Sequence, residues 1–276
     1  MNLKNLQNKF SLSDLELFTQ NTSTHKLSFV ANHLKQTEST NSSGQAVRLI
    51  KDRKVGFMAS YGNQFSKTEG LEEIICQALE VSKFSSEIDI SLPDKLQRSD
   101  LKANNTKENT LSKFKEKGSE IIQSILNKAP SVLVDVSFTL SSSKETLLSN
   151  RDLNYSFSND TCTFLINIRE TMENDFIDMY TGCIDNALPD HKEYLDELLC
   201  FYKLAKKRSK IKNGTWPVFF TSKAAKDLLN IVEIALNGKQ VIQKSSPWHD
   251  KLGNQVLSKL ISLKQNPDFG YMARSR

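Results

Sequence analysis

The spacing of apolar residues predicts β-strands over the first sixty residues of the chain. Apolar and polar residues alternate there, which gives each strand one apolar face. Residues 21–23, 41–44 and 51–54 are rich in turn-forming side chains and predict the breaks between strands. We therefore expect an antiparallel meander whose strands carry, in order, Leu15 and Leu17; Leu27, Phe29 and Ala31; Val47 and Leu49; and Val55, Phe57 and Ala59.

Helical and strand patterns then alternate along the chain. Apolar residues recur at helical spacing over 71–79 and again over 111–126, which predicts two amphipathic helices. The polar stretch 86–110 between them predicts an exposed connection. Strands are predicted at 132–140, 146–150, 155–157 running into 161–169, and 176–181, with breaks at 149–152 and 158–160.

The C-terminal part is predicted to begin a second domain. A helical pattern covers 190–207, and Asn213-Gly214 then breaks the chain. After it, Trp216–Phe220 reads as a short strand, Thr221 as a helix N-cap, and Leu228–Leu236 as a buried helix closed by Gly238. The fold class is α+β: an N-terminal domain over 1–212 with an antiparallel sheet and helices, followed over 213–276 by the start of a mainly β domain.

Composition narrows the function classes. The chain has 276 residues, of which 38% are hydrophobic and 25% charged, and it has no apolar run long enough to span a membrane. With no signal peptide visible, we expect a cytoplasmic protein without membrane contact. The net charge of +5 is spread along the chain. Its one dense cluster, 206–212, reads either as a nucleic-acid contact or as a solvated helix end, and the lack of interleaved aromatic residues favours the helix end.

Candidate chemistry is sparse. The four cysteines are widely spaced and predict buried, reduced thiols. No histidine belongs to an H-x-x-x-H pattern. His249 with Asp250 could transfer a proton or form a local hydrogen bond. The acidic run from Glu170 to Asp178 could hold a hard cation, but its position at a hairpin predicts solvated charge instead.

Two segments carry a family resemblance. The first holds Pro217-Val-Phe-Phe220, Ala224-Ala225, Ala235-Leu-x-Gly238, Ser245-Ser246 and Lys251-Leu-Gly-x-Gln-Val256. The second holds Ser28-Phe-Val-Ala-Asn32, Ser43-Gly44, Arg48-Leu49 and Val55-Gly-Phe57. In this order they resemble the TldD/PmbA family, whose members form metallopeptidase complexes that act on peptides. The stretch Ser245–Gly253, with Tyr61-Gly62, is most similar to cyanobacterial members.

The resemblance implies a role without metal for this chain. TldD-branch members carry H-E-x-x-x-H in the helix that here spans 228–236, and the matching register places those positions on Leu229, Asn230 and Ile234. None of these side chains is a zinc ligand of the usual kinds. The chain therefore resembles the PmbA branch, a subunit that is not catalytic alone and holds no cofactor. Zinc is expected in a TldD-like partner and the substrate is expected to be a peptide.

Two further expectations follow from the resemblance. The loop with Ser245, Ser246, Trp248 and His249 either lines the peptide channel or contacts the partner, or it is a structural turn. Family members continue beyond the segment matched here, and about the last six residues fit no family pattern. We expect a chain truncated before the family's C-terminal third, with residues 213–276 poorly packed. The alternative function is a truncated or degenerate member that acts at most as a binding module.

Overall fold

The computed structural model describes residues 3–62, 68–92, 111–188, 190–207, 209–264 and 266. The described residues as far as Lys207 form one compact unit, and those after it form a second. In chain order the first unit contains α1 (Leu3–Phe10), β1 (Asp14–Val30), β2 (His33–Lys51), β3 (Lys54–Tyr61), α2 (Thr68–Ser82), α3 (Leu111–Leu126), β4 (Leu133–Ser149), β5 (Asn154–Met172), β6 (Asp175–Asp185) and α4 (Lys192–Ala205).

The first unit is built on one six-stranded sheet. Its strand order is β3-β2-β1-β4-β5-β6, and every neighbouring pair is antiparallel. Two meanders, β1 to β3 and β4 to β6, therefore meet at the central pair of β1 and β4. The mixed α+β class and the antiparallel sheet predicted from the sequence are confirmed.

Two hydrophobic cores lie on the same face of this sheet, which we call the helical face. Helices α1 and α2 pack over one end, against Leu17 and Leu49. Helix α3 packs over the other end, where Phe114, Phe138 and Phe164 stack with ring centroids 4.8 and 5.3 Å apart. Side chains two apart on a strand point to the same face, so the unbroken β1–β4 register puts both cores on one side. The opposite side is called the open face.

The long strands differ from the prediction. The breaks predicted at 21–23, 41–44 and 158–160 are wrong, because β1, β2 and β5 run straight through them. The strands predicted at 132–140 and 146–150 are likewise one strand. Polar residues with turn propensity accept an extended backbone when a neighbouring strand pairs with them: residues 21–23 pair with β2 and β4, residues 41–43 with β1, and residues 158–160 with β4. The breaks at 51–54 and 149–152 are confirmed.

A tight turn at Ala31-Asn32 joins β1 to β2. Both residues have positive φ, 48° and 73°, as a two-residue hairpin turn requires. Asn32 also docks the turn on β4. Its side-chain Oδ1 accepts from the Val134 backbone amide at 2.7 Å, and its backbone amide donates to the Val134 carbonyl at 2.9 Å. The Ala31 amide donates to Asp135 Oδ1 at 2.8 Å.

The second unit contains α5 (Ser222–Leu236) and α6 (Gly238–Ile242). Thr221 caps α5 as predicted, with its side chain accepting from the Ala224 amide at 3.4 Å. The Gly238 C-cap is wrong: Asn237 ends α5 with φ −63° and ψ 121°, and Gly238 begins α6. The strand at Trp216–Phe220 is also wrong, so residues 209–264 show no strand and the predicted β character is not seen there.

Helix α5 is not buried as predicted. Within the described residues, Ala235 is its buried residue, whereas Leu229, Ile231 and Ile234 are 37%, 66% and 56% exposed. The unit has no sheet in its described part on which these apolar side chains could pack. Most of the predicted exposed connection at 86–110 lies outside the described residues, and so does the whole chain after Asp268.

Candidate functional site

Polar residues of β1, β2 and β4, several of them in segments predicted to be turns, form one polar band across the middle of the sheet. We use the name polar band for Asn21, Ser23, Asn41, Ser43, Ser142 and Lys144. In the strand register, Asn21 faces Ser43 on one side and Lys144 on the other, and Ser23 faces Asn41 and Ser142. Turn-forming residues on three strands that are distant in sequence are thus brought to one level of the sheet.

The polar band lies between the two hydrophobic cores. A hollow of about 380 Å³ is lined by its residues together with Thr22 and Ser42. Asn21 and Ser23 are an even number of residues from Leu17 and Leu27 on β1, so their side chains point to the same helical face. Leu17 and Leu27 belong to different cores, so the polar band lies between the two cores. The lining consists of hydroxyls, amides and one ammonium, groups that bind polar ligands by hydrogen bonds.

His25 lies beside the polar band on β1. Its Nδ1 is 3.0 Å from the Ser39 hydroxyl, directly across the β1–β2 pair. Both residues are at an exposed surface, and the contact is a cross-strand hydrogen bond of the kind that stabilises sheets.

The α5 positions singled out by the family resemblance carry no metal ligand. Leu229 and Ile234 are exposed apolar side chains, and Asn230 is an exposed amide. Among the described residues there is no group of three or more His, Cys, Asp or Glu side chains that could hold a metal ion. The assignment of these positions to the family's zinc ligands stays a prediction.

The predicted contact loop is organised by Ser246. This residue is 3% exposed, and its hydroxyl donates to the Ala235 carbonyl at 2.6 Å, which ties the loop to the end of α5. The same hydroxyl accepts from the Trp248 amide at 3.1 Å, so it also sets the backbone before the indole. Ser245 is exposed, and its hydroxyl donates to the Gln240 carbonyl at 3.2 Å.

The proton-transfer pair considered for His249 and Asp250 is not formed. His249 Nδ1 lies 3.0 Å from the Ser246 carbonyl oxygen, and Asp250 pairs with the Lys251 ammonium at 3.4 Å. The Lys251 hydrogen bond lowers the pKa of Asp250. Trp248 is half-buried and His249 is exposed, so both are presented at the surface of the loop.

The acidic hairpin run is dispersed. Glu170, expected to be solvated, is 8% exposed and accepts from the Ser131 hydroxyl at 2.6 Å, the Tyr202 hydroxyl at 2.8 Å and the Lys206 ammonium at 2.9 Å. These hydrogen bonds, the Ser131 one foremost, lower the pKa of Glu170 to about 2. Lys206 at the end of α4 therefore ties that helix to β5, as a cation at a helix C-terminus can.

His191 and the cysteines are further titratable groups of the first unit. His191 is 2% exposed, and burial lowers its pKa. The four cysteines are free thiols, and burial raises the pKa of Cys162 to about 11. The expectation of uniformly buried thiols is wrong, since Cys76 and Cys200 lie exposed on α2 and α4.

No described helix is long and apolar enough to cross a membrane.

Two family models match the chain. The PmbA/TldA metallopeptidase domain 1 matches residues 15–82, and the PmbA/TldA metallopeptidase C-terminal domain matches residues 213–275. A comparison with curated proteins gave no significant match.

Several solved structures share the fold. TldE from Thermococcus kodakarensis superimposes with a TM-score of 0.73 at 17% identity, over 91% of this chain and 57% of its own. A proposed modulator of a DNA gyrase from Thermotoga maritima gives 0.74 at 16%, over 92% and 58%. A proposed modulator of DNA gyrase from Bacteroides thetaiotaomicron gives 0.74 at 14%, over 90% and 58%. The chain thus spans somewhat more than half the length of these proteins.

The matched domains, in the same order as in the family, and the shared sheet define an α+β protein of the PmbA/TldA type. The chain belongs to the TldD/PmbA family, as its sequence motifs indicated.

Proposed function

We propose that this chain is a PmbA-like subunit, without metal of its own, of a TldD/PmbA-type metallopeptidase complex that processes peptides in the cytoplasm. In this proposal a TldD-like partner supplies zinc and the hydrolytic step. This chain contributes binding surface for the peptide or for the partner. Its similarity to cyanobacterial PmbA members is part of the same proposal.

One observation carries the proposal. Helix α5 lies in the segment that matches the family's C-terminal domain, and its positions 229, 230 and 234 hold Leu, Asn and Ile. Zinc in peptidases is bound by imidazole and carboxylate groups, and a bound water needs a base nearby. Hydrocarbon and amide side chains at those three positions supply neither the ligands nor the base.

The loop after α6 supports a contact role. The Ser246 hydroxyl fixes the loop to α5 through the Ala235 carbonyl, which leaves the Trp248 indole half-buried and held by an ordered backbone. Tryptophan presented on a fixed backbone is typical of residues that dominate the binding energy of interfaces. Under this proposal Trp248 contacts the partner or the peptide channel.

Zinc content and association test the subunit role. The chain is mixed with a TldD-like chain that carries H-E-x-x-x-H, and the complex is isolated by size-exclusion chromatography. We expect zinc to follow the TldD-like chain, no peptide hydrolysis by this chain alone, and hydrolysis by the mixture that a chelator abolishes. Stoichiometric zinc with hydrolysis by this chain alone would contradict the proposal, as would failure of the two chains to associate.

The two tryptophans provide a matched pair of variants. Trp248→Ala is expected to weaken association with the partner by about tenfold or more, the effect of losing a central aromatic anchor. Trp216→Ala is the control, because Trp216 is 60% exposed and its indole donates to the Lys212 carbonyl at 3.0 Å. Both affinities are measured by titration calorimetry. Equal affinities for the two variants would show that Trp248 does not contribute to the interface.

A further inference from the structure

The open face of the sheet carries a second hollow, of about 450 Å³, on the opposite side of the sheet from the core of α3 and α4. We call it the outer hollow, and its polar lining comprises Lys26 and Ser28 of β1, Asp135 of β4, Asn167 and Arg169 of β5, and Asp178 of β6. Register places these residues together: Asp135 faces Asn167, and Arg169 faces Asp178. The outer hollow lies in the first unit and does not include α5 or the Trp248 loop.

Ser28 is a buried hydroxyl without a partner in this hollow. The residue is 8% exposed, and its Oγ has no hydrogen-bond partner among the described residues. An unpaired buried polar group costs about 1–3 kcal/mol, so such groups are few in native proteins. A ligand in the outer hollow that pairs with Oγ would remove that cost.

Asn167 and Arg169 each keep one further group unpaired among the described residues. The Asn167 amide nitrogen donates to Asp178 Oδ1 at 2.6 Å, which fixes the side chain and leaves its buried Oδ1 as an acceptor. The Arg169 Nη2 donates to both oxygens of Asp135, at 3.0 and 2.7 Å, and leaves its buried Nε as a donor. The hollow therefore holds one fixed acceptor and one fixed donor, two residues apart on one strand.

The charges of the hollow favour a neutral ligand. Two cations, Lys26 and Arg169, are matched by two carboxylates, Asp135 and Asp178, and the Asp135 carboxylate already pairs with Arg169. An anion would meet the carboxylates at short range, where like charges repel. A ligand with one N–H and one C=O, that is an amide, complements the unpaired acceptor and donor without adding charge.

We propose that the outer hollow binds the main-chain amide of a short peptide. The amide N–H donates to Asn167 Oδ1, its C=O accepts from Arg169 Nε, and the Ser28 hydroxyl pairs with a neighbouring polar atom of the peptide. The site is formed by this chain alone, and it rests on the proposed function in that it gives a place to the peptide-binding surface assigned to this chain. It is therefore tested without any partner.

Nuclear magnetic resonance of the full ¹⁵N-labelled chain tests this site. The probe is N-acetyl-alanyl-alanine methylamide, a peptide with no charged terminus, and the comparison compounds are acetate and free dialanine. We expect the blocked peptide to shift amides of residues 26–30, 135–137 and 165–169 in a saturable way, and acetate to leave them unchanged. Saturable shifts with acetate, or with free dialanine alone, would show a site for charged groups and overturn the amide assignment. No shift with any probe would overturn the site itself.

Two variants locate the binding groups. Ser28→Ala and Asn167→Leu are each expected to weaken binding of the blocked peptide by about fivefold to tenfold, the loss of one hydrogen bond. Ser23→Ala and Asn41→Leu, matched substitutions in the polar band, are expected to leave the affinity unchanged. Ser28→Ala also removes an unpaired hydroxyl, so its melting temperature should be unchanged or higher, and it reports on binding even if Asn167→Leu does not fold. Equal affinities of all four variants would contradict the proposal.

Discussion

Glu170 is the residue whose environment departs most from what its sequence neighbourhood indicates. It lies near the end of β5, just before a hairpin that carries further acidic residues. It is nevertheless buried against α4 and accepts hydrogen bonds from Ser131, Tyr202 and Lys206. A carboxylate that is buried with three donors holds two elements together through its charged form. The strand and the helix are 20 residues apart in sequence, so local pattern cannot show this contact.

The lowered pKa of Glu170 predicts a specific pH dependence. Its folded-state pKa of about 2 lies below its ordinary value of 4.5, so its contribution to stability is fully present above pH 4.5 and is lost as the pH falls toward 2. Glu170→Gln should destabilise the chain by about 2 kcal/mol at pH 7. Urea unfolding at several pH values measures this.

Glu173→Gln is the matched control for this measurement. Glu173 lies in the same hairpin and is exposed, so the substitution should change the free energy of unfolding by less than about 0.5 kcal/mol. The difference between wild type and Glu170→Gln should shrink as the pH falls from 4.5 toward 2. A difference that stays constant across that interval would show that the Glu170 charge does not stabilise the fold.

At the scale of elements, the sequence predicts helices more reliably than strand limits. The amphipathic patterns located α2, α3 and α4 because each buries one apolar stripe on the sheet. The predicted breaks in β1, β2 and β5 failed because Asn, Ser and Asp favour turns locally, whereas pairing with neighbouring strands holds them extended. Residues 21–23 are paired on both sides, and residues 41–43 and 158–160 on one side. In these strands, pairing between segments distant in sequence outweighs the local propensity for turns.

The same register explains which parts of the candidate sites were missed. The Ser245–His249 loop could be singled out because it lies in one contiguous motif. The polar band and the outer hollow combine residues from strands more than 100 positions apart, as Ser28 and Asp135 show. One signal was available for the polar band: Asn-Ser clusters recur in the middle of several alternating segments. For the outer hollow the sequence offers no such pattern.

A pair of asparagines distinguishes a true turn from a polar strand position. Asn21 lies in the extended middle of β1, whereas Asn32 has φ 73° and three hydrogen bonds to β4 residues and their neighbours. Asn21→Val should leave stability unchanged or raise it by up to about 1 kcal/mol, because valine favours strands. Asn32→Val should cost about 2 kcal/mol or more, because a β-branched residue is strained at positive φ and the docking contacts are lost.

Thermal and chemical unfolding of the two variants measures this difference. Asn32→Gly serves as the control for backbone strain, since glycine accepts positive φ but lacks the amide. Its cost should fall between those of the other two variants. A large loss of stability in Asn21→Val would mean that the chain turns at 21–23 after all.

At the scale of the whole molecule, the first unit joins two hydrophobic cores by continuous strands. The core of α1 and α2 and the core of α3 and α4 share β1, but the polar band separates their side chains. Apolar packing therefore does not pass from one core to the other across the band. The connection is the hydrogen-bonded ladder of β1 with β2 and β4.

This arrangement predicts that the two ends of the unit lose protection separately. Phe164→Ala removes a fully buried ring that stacks on Phe138, at a cost of about 3–5 kcal/mol. Amides of α3, α4 and β6 should then exchange with solvent faster, while those of α2 and β3 keep most of their protection, because local opening follows the packing that was lost. Leu49→Ala, in the other core, should give the reverse pattern. Hydrogen exchange followed by mass spectrometry resolves the two ends. Equal acceleration throughout the sheet in both variants would show instead that the strand ladder alone makes the unit one cooperative structure, with the polar band no barrier to coupling.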